Sequence, residues 1–85
     1  MIYVDDAAML YKGKLRYHMT ADSLSELHDF AAQIGVKRCW YHKPKVHPHY
    51  DVTREQREDA IQHGATIVDS RTILQVARGL VHRPK

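Results

Sequence analysis

The chain has little cysteine, no long apolar segment and no concentrated block of charge, and each shortage excludes a class of protein. Its one cysteine, Cys39, cannot form an internal disulfide, which indicates a reducing compartment. No run of about eighteen apolar residues is present, so no membrane-spanning helix is expected. The start, MIYVDDAA, reaches two acidic residues too early for a signal peptide. We therefore expect a cytoplasmic protein without a membrane partner.

The basic excess is modest and dispersed. Lysine and arginine number 13 against 10 acidic residues, and the formal net charge is +3. This excess would favour encounter with a polyanion such as nucleic acid or a nucleotide, but it is not the dense patch typical of nucleic-acid binders. The seven histidines are less usual in 85 residues. Each histidine can ligate a metal or transfer a proton near neutral pH.

Short apolar segments predict the strands of a small sheet. Three of them read as buried or β-prone strands: MIYVDD, VKRCWYHK and ATIVD. The segment LRYHMT alternates apolar and polar residues, which predicts an edge strand with one wet face. Cys39 is expected to fill space in the core. The basic residues beside the first turn, Lys12, Lys14 and Arg16, are expected to form a solvated edge that discourages sheet-to-sheet pairing.

Helix-start signals separate these strands. Capping boxes begin at Ser23 and Thr53, and Asp69 or Ser70 can cap a third helix. Length and composition favour one α/β domain over residues 1–85, with residues 82–85 as a frayed basic tail. The order of elements predicts a two-layer or three-layer domain with three helices and a short, mostly parallel sheet of about three or four strands.

The predicted topology gathers polar residues at one rim. In open α/β sheets, ligands bind outside the carboxyl ends of the parallel strands. This rule brings together the residues after the first strand, those from Tyr41 through Asp51, and those following the third strand at Asp69. Asp5 and Asp6 are candidate ligands for Mg²⁺ or Mn²⁺, although side chains of adjacent strand residues point to opposite sides. Loop capping is the alternative role for these two acids.

The segment VHPHYDVT, residues 46–53, carries the main candidate site residues. His49 and Asp51 could ligate a metal such as Zn²⁺, or act as a general base and the carboxylate that orients it. Asp51 could equally complement the charge of the helix that follows. His47 is a weaker candidate because it lies nearer the middle of the loop.

Two further candidates lie on the predicted helices. Arg57 shares a helical face with apolar residues, which suits binding to an anionic ligand, an ordinary salt bridge or a snorkelling side chain. His28 lies at the boundary of an apolar stripe, where either a catalytic role or simple half-burial is open. Tyr50, between His49 and Asp51, is a candidate substrate contact.

The ordered motifs resemble a known family. These motifs are YVDD, HMTADSLSELHDFAAQIG, CWY, HYDVT, and the spacing of Arg57, Ala60, Gly64 and Ala65. Together they resemble the small bacterial and bacteriophage proteins grouped as domain of unknown function 4031. The resemblance covers nearly the whole chain and implies no activity. It places the following residues at motif positions: Asp5, Asp6, His18, Asp22, His28, Trp40, His49, Tyr50, Asp51 and Arg57.

Two functions remain open from the sequence. The first is a metal-assisted hydrolase, a phosphoesterase or nuclease-like enzyme that uses Mg, Mn or Zn. In it, Asp5 or Asp6 would bind the ion, His49, Asp51 and His28 would be catalytic, and Arg57 and Tyr50 would contact the substrate. The second is a non-catalytic phage accessory module that binds nucleic acid or a host protein through the basic edge and the C-terminal tail. An edge strand would also allow a homodimer.

Overall fold

The computed structural model describes residues 1–11, 13–42 and 48–82. These residues form six strands and three α-helices. The strands are β1 (Ile2–Asp5), β2 (Met9–Tyr11), β3 (Lys14–Ala21), β4 (Tyr41–His42), β5 (His49–Val52) and β6 (Thr66–Val68). The helices are α1 (Leu24–Gln33), α2 (Arg54–Gln62) and α3 (Ser70–His82), and a short 3₁₀ turn, Arg38–Trp40, precedes β4.

The sheet is mixed and mostly antiparallel, so the prediction of a mostly parallel sheet of three or four strands was wrong. The strand order is β4-β5-β3-β1-β6, and β2 pairs with the first residues of β3. Only β1 and β6 form a parallel pair, whereas β3 is antiparallel to β1, β2 and β5. The α/β class and the three helices were predicted correctly.

Strand β3 is central, not at an edge as predicted. Gly13, with φ of 78°, forms the turn that lets β2 and β3 pair as a hairpin. Beyond that hairpin, β3 continues between β1 and β5. The alternation in LRYHMT was read as one dry and one wet face, but Arg16 and Thr20 on the polar face are buried. Alternation records only the two faces of a strand, so it does not reveal which neighbours pair on each side.

One face of the sheet carries the hydrophobic core. Alternating residues of β1, β3 and β5 contribute the buried side chains Val4, Met19, Tyr50 and Val52. Helix α1 adds residues such as Leu27 to this cluster, and α2 adds Ala60. The core therefore lies between the sheet and these two helices.

Helix α3 covers part of the opposite, more polar face. It contacts β3 and β1, and it buries Ile73 and Ala77 outside the cluster formed by α1 and α2. Its start is capped, because the Asp69 carboxylate accepts a hydrogen bond of 2.7 Å from the backbone N–H of Thr72. Among the described residues, no helix is both long and apolar enough to cross a bilayer. His82 ends α3, and the rest of the predicted tail lies outside the described residues.

Two sequence predictions about single side chains were wrong. Cys39 is exposed rather than a core residue, because the segment that was read as a strand begins with the 3₁₀ turn. Arg16 is buried rather than part of a solvated edge, because its guanidinium lies over the ring of Trp40, 4.2 Å from the centroid. Lys14 is exposed as predicted, and Lys12 lies outside the described residues.

The capping box at Thr53 predicts a measurable loss of stability on truncation. The Thr53 hydroxyl accepts from the backbone N–H of Gln56, and the Gln56 side chain accepts from the backbone N–H of Thr53. We expect Thr53→Ala to lower the free energy of unfolding by about 1 kcal/mol in equilibrium urea denaturation. Thr53→Ser keeps the hydroxyl and should lose much less. Equal losses in both variants would contradict the capping role.

Candidate functional site

A polar row crosses three adjacent strands on the face opposite the core. His18 of β3 lies directly opposite Asp51 of β5. On its other side, His18 contacts Asp5, the last residue of β1. Because side chains alternate along each strand, His49 lies on the same face as Asp51. The start of β5 is also held to β3, because the buried Thr20 hydroxyl donates to the Pro48 carbonyl at 3.1 Å.

The Asp5 carboxylate is fully buried and holds His18 in place. Its Oδ1 accepts from the His18 backbone N–H at 3.1 Å, and its Oδ2 lies 2.8 Å from His18 Nδ1. The side-chain hydrogen bond to Asp5 raises the pKa of His18, and burial of the ring acts in the opposite direction. Since a carboxylate only accepts, Nδ1 donates and Nε2 of the neutral ring is left with the lone pair. A carboxylate placed behind a histidine in this way orients it as a metal ligand.

Two more imidazoles surround the Asp51 carboxylate. His42 Nε2 lies 3.0 Å from Asp51 Oδ2, and His49 Nε2 lies 3.2 Å from Asp51 Oδ1. The His42 and His49 rings stack with centroids 5.6 Å apart, and the His18 ring meets His49 edge-on at 4.7 Å. Asp51 is only 7% exposed, so its charge is poorly solvated. The cluster therefore joins a buried carboxylate to three imidazoles.

Distance and angle disagree in part for these contacts. The two nitrogen–oxygen distances suit ion pairs, yet His42 Nε2 and Asp51 Oδ1 are buried and have no hydrogen bond of acceptable angle within the described part of the chain. A hydrogen bond weakens steeply when it bends, so these contacts leave the two atoms unsatisfied within the described residues. Asp51 Oδ1 in particular can accept from a further partner, which suits a cation.

Three residues offer donor atoms for a single ion. One ligand atom each from His18, His49 and Asp51 lie within 4.8 Å of one another. In a tetrahedral site, bonds of about 2.0–2.1 Å place donors roughly 3.4 Å apart, so the widest separation would close by up to about 1.4 Å when an ion binds. Two imidazoles and one carboxylate suit Zn²⁺ or a similar transition-metal ion better than Mg²⁺, which prefers oxygen ligands.

Arg57 contacts the backbone of Asp5 from the core side of the sheet. Its Nε donates to the backbone carbonyl of Asp5 at 2.8 Å, and its guanidinium lies 4.8 Å above the ring of Tyr17. Tyr17 alternates with His18 along β3, so this contact is on the core face. Arg57 therefore ties α2 to the carboxyl end of β1, the strand end that carries Asp5.

His28 and Tyr50 lie apart from the cluster. Tyr50 belongs to the core face and is 1% exposed. Its hydroxyl lies 2.8 Å from His28 Nδ1, and the His28 ring also packs edge-on against Tyr41. Burial first, and the positive charge of Arg38 second, lower the pKa of His28. The sheet thus separates these two predicted site residues from His49 and Asp51.

The remaining predicted site residues are not all part of the histidine cluster. Asp6 is exposed just after β1, whereas Asp5 is buried, so the two adjacent acids point apart as expected. Asp69 caps α3. His47 lies outside the described residues, as does the rest of residues 43–47. Of the predicted metal and catalytic residues, Asp5, His49 and Asp51 share the polar face.

His18 and His42 complete the cluster around Asp51, although the sequence patterns alone gave neither histidine a role. His18 was marked only as a motif position of the resembling family, and His42 was not among those positions. The alternation in LRYHMT already placed His18 on the polar face of its strand. Pairing with β1 and β5 is what gives that position its partners, and pairing of distant segments is not visible in a local pattern.

One protein family matches nearly the whole chain. Residues 2–80 match the family described as "Protein of unknown function (DUF4031)". The chain belongs to this DUF4031 family. No curated protein and no solved structure matches it. Membership in DUF4031 confirms the resemblance seen in the motifs and assigns no activity to the chain.

The lowered pKa of His28 predicts a pH dependence of stability. A histidine whose pKa is lower in the folded state stabilises the fold fully above its unfolded pKa of about 6.5. That contribution is lost as the pH falls towards the folded value. We therefore expect the wild-type chain to lose more stability than His28→Gln between about pH 7 and pH 5, measured by urea unfolding at each pH.

The control for this comparison is His63→Gln, which changes an exposed histidine whose Nδ1 lies 2.8 Å from the Asp59 carbonyl. Its pH profile should follow that of the wild type. If the profiles of His28→Gln and the wild type superimpose, burial of His28 does not control the acid-side loss of stability.

Proposed function

We propose that this DUF4031 protein is a metal-assisted hydrolase of phosphoesters, with an ion held by His18, His49 and Asp51. The observation that carries the proposal is the group of three donor atoms within 4.8 Å of one another beside the buried Asp5. Asp5 would orient His18 from behind rather than bind the ion, because both of its oxygens already contact His18.

The electrostatics support a cation at this point. Asp5 and Asp51 are both buried on one face of the sheet, and burying a charge is costly unless a partner compensates for it. Hydrogen bonds from His18 compensate Asp5. Asp51 Oδ1 has no such bond within the described residues, and a cation would compensate it directly. The two imidazole ligands would release any proton they carry when the ion binds.

Hydrolysis is the chemistry that this donor set favours. When bound, a divalent ion lowers the pKa of a coordinated water and polarises a phosphoryl oxygen. Three protein ligands leave coordination positions for water and substrate, as in catalytic rather than structural zinc sites. His42 is the most exposed imidazole of the cluster, with 43% of its side chain accessible. It is therefore suited to exchange a proton with a substrate or a leaving group.

The alternative, a non-catalytic binding module, has less support. Its proposed surface consisted of the basic edge and the C-terminal tail. Arg16 of that edge is buried, and Lys12 and residues 83–85 lie outside the described residues. No clustered basic surface along the described parts of β2 and β3 favours it over the hydrolase.

Metal titration tests the proposal. Protein dialysed against a chelator should bind about one Zn²⁺ or Mn²⁺ per chain in calorimetry, with a higher melting temperature and with much weaker binding of Mg²⁺. His49→Ala and Asp51→Asn should each abolish this binding, and the metal-loaded wild type should hydrolyse bis(p-nitrophenyl) phosphate. His63→Ala is the control, since His63 is exposed at the C-terminal cap of α2 and this variant should bind metal normally.

Three results would contradict the proposal. Wild-type protein without metal affinity would remove the ion site, and a loss in His63→Ala equal to that in His49→Ala would show non-specific binding. If the ion binds at His49 and Asp51 but no phosphoester is hydrolysed, the site is structural and the hydrolase proposal fails.

A separate variant tests the orienting role of Asp5. Asp5→Asn keeps the size of the side chain and all three proposed ligands, but it weakens the hold on His18. We expect the metal dissociation constant to rise by about 10–100-fold while the stoichiometry stays the same. Asp6→Asn, which changes the exposed neighbour, is the matched control and should bind like the wild type. Equal affinities in the two variants would show that Asp5 does not support the ligand.

A further inference from the structure

A buried arginine lies on the same face as the histidine cluster. Arg16 is two residues before His18 in β3, so the two side chains share a face and their backbones are about 7 Å apart. Arg16 is 7% exposed, although arginine is almost never buried without a partner. The described part of the chain contains no ion pair to Arg16, and its buried Nε has no hydrogen bond. Within the described residues, this buried positive charge therefore has no carboxylate partner.

Stacking covers one face of this guanidinium, and its buried Nε has no hydrogen bond within the described residues. Cζ of Arg16 lies 4.2 Å from the centroid of the Trp40 ring. This contact uses the flat face of the guanidinium, whereas its N–H donors point outward in the plane. An arginine held in this way is suited to a planar, bidentate contact with an oxyanion. Trp40 is only half-buried, so the stacked pair is close to the surface.

Arg16 lies next to the proposed ion site along one strand. It precedes His18 by two residues in β3, whereas Trp40 is the last residue of the 3₁₀ turn that leads into β4. Trp40 also packs against the hydrophobic cluster. A ligand bound by both Arg16 and the ion would therefore extend along β3 from His18.

We propose that Arg16, stacked on Trp40, is an oxyanion-binding site that takes a phosphate group of the substrate. The anion site is inferred from Arg16 alone, while its use for a substrate rests on the hydrolase proposed above. The oxyanion would accept from the guanidinium edge, including the Nε that has no hydrogen bond within the described residues. This assigns phosphate recognition to Arg16 rather than to Arg57, whose Nε already donates to the Asp5 carbonyl.

Trp40 allows a direct measurement, since it is the only tryptophan in the sequence. Metal-free protein in chelator is titrated with inorganic phosphate, and with chloride at matched ionic strength, while Trp40 fluorescence is recorded. We expect a saturable change with phosphate and none with chloride. Arg16→Gln should weaken phosphate binding at least about 10-fold. Arg16→Lys should fall between it and the wild type, since it keeps the charge but loses the fork of donors.

Arg38→Gln is the matched control. Arg38 also lies over an aromatic ring, 5.5 Å from the centroid of Tyr41, but it is exposed. This variant should bind phosphate like the wild type. Far-ultraviolet circular dichroism and urea unfolding establish that each variant is folded, and Arg16→Lys serves the comparison if Arg16→Gln is not.

The outcomes separate the two proposals. If the wild type gives no saturable response to phosphate, or if Arg16→Lys binds phosphate as tightly as the wild type, the anion site is refuted. Such a result leaves the ion site intact when metal still binds at His49 and Asp51. If phosphate binds through Arg16 but calorimetry detects no metal, the anion site stands and the hydrolase fails.

Discussion

The position of β3 between β1 and β5 determines both the core and the candidate site. Side chains alternate strictly along a strand, so the central strand assigns Met19 to the core and His18 to the polar face. The same register sets Tyr50 beside Met19 and Asp51 beside His18. A slip of β3 by one residue would exchange its two faces and bury the His18 imidazole among apolar side chains. Core packing thus fixes the register that assembles the polar row.

Asp5 links the pairing of β1 and β3 to the orientation of the His18 ring. Its carboxylate is fully buried, and its two oxygens accept from the backbone and the ring of His18. Its carbonyl accepts from Arg57, so β1, β3 and α2 meet at one residue. Removing one partner of a buried charge leaves the other uncompensated and costs more than the contact itself contributes. Correct folding and correct orientation of His18 therefore depend on the same hydrogen bonds.

Local patterns in the sequence predicted the helices well. The hydroxyls of Ser23 and Thr53 accept hydrogen bonds at the starts of α1 and α2, and Asp69 does so for α3, because a cap depends on residues three positions apart. The direction of strand pairing could not be predicted, since it is decided by contacts between distant segments. For that reason the sheet was taken as mostly parallel, and β3 was taken as an edge strand.

Because local patterns do not show contacts between distant segments, they identified only some of the residues that the polar face brings together. His49 and Asp51 were found because their segment concentrates titratable side chains, and Asp5 because it ends an apolar strand. His28 and Tyr50 were grouped with them by proximity in sequence or family motif, yet the alternation of β5 separates Tyr50 from Asp51. Arg16 was assigned to solvent because its neighbours are basic. Its burial depends on contact with the ring of Trp40, a residue distant in sequence.

Side-chain exposure across the polar face indicates how a ligand would reach it. The Asp5 side chain at the β1 side is 0% exposed, the His49 side chain on β5 is 16% exposed, and that of His42 at the β4 edge is 43% exposed. The closed side is where hydrogen bonds orient His18, and α3 contacts the same strands, β1 and β3. The His18 side chain on β3 is 23% exposed, so access to the polar face is greatest at His42 and least at Asp5. A ligand of the proposed ion site would therefore contact His42 before the buried carboxylate of Asp5.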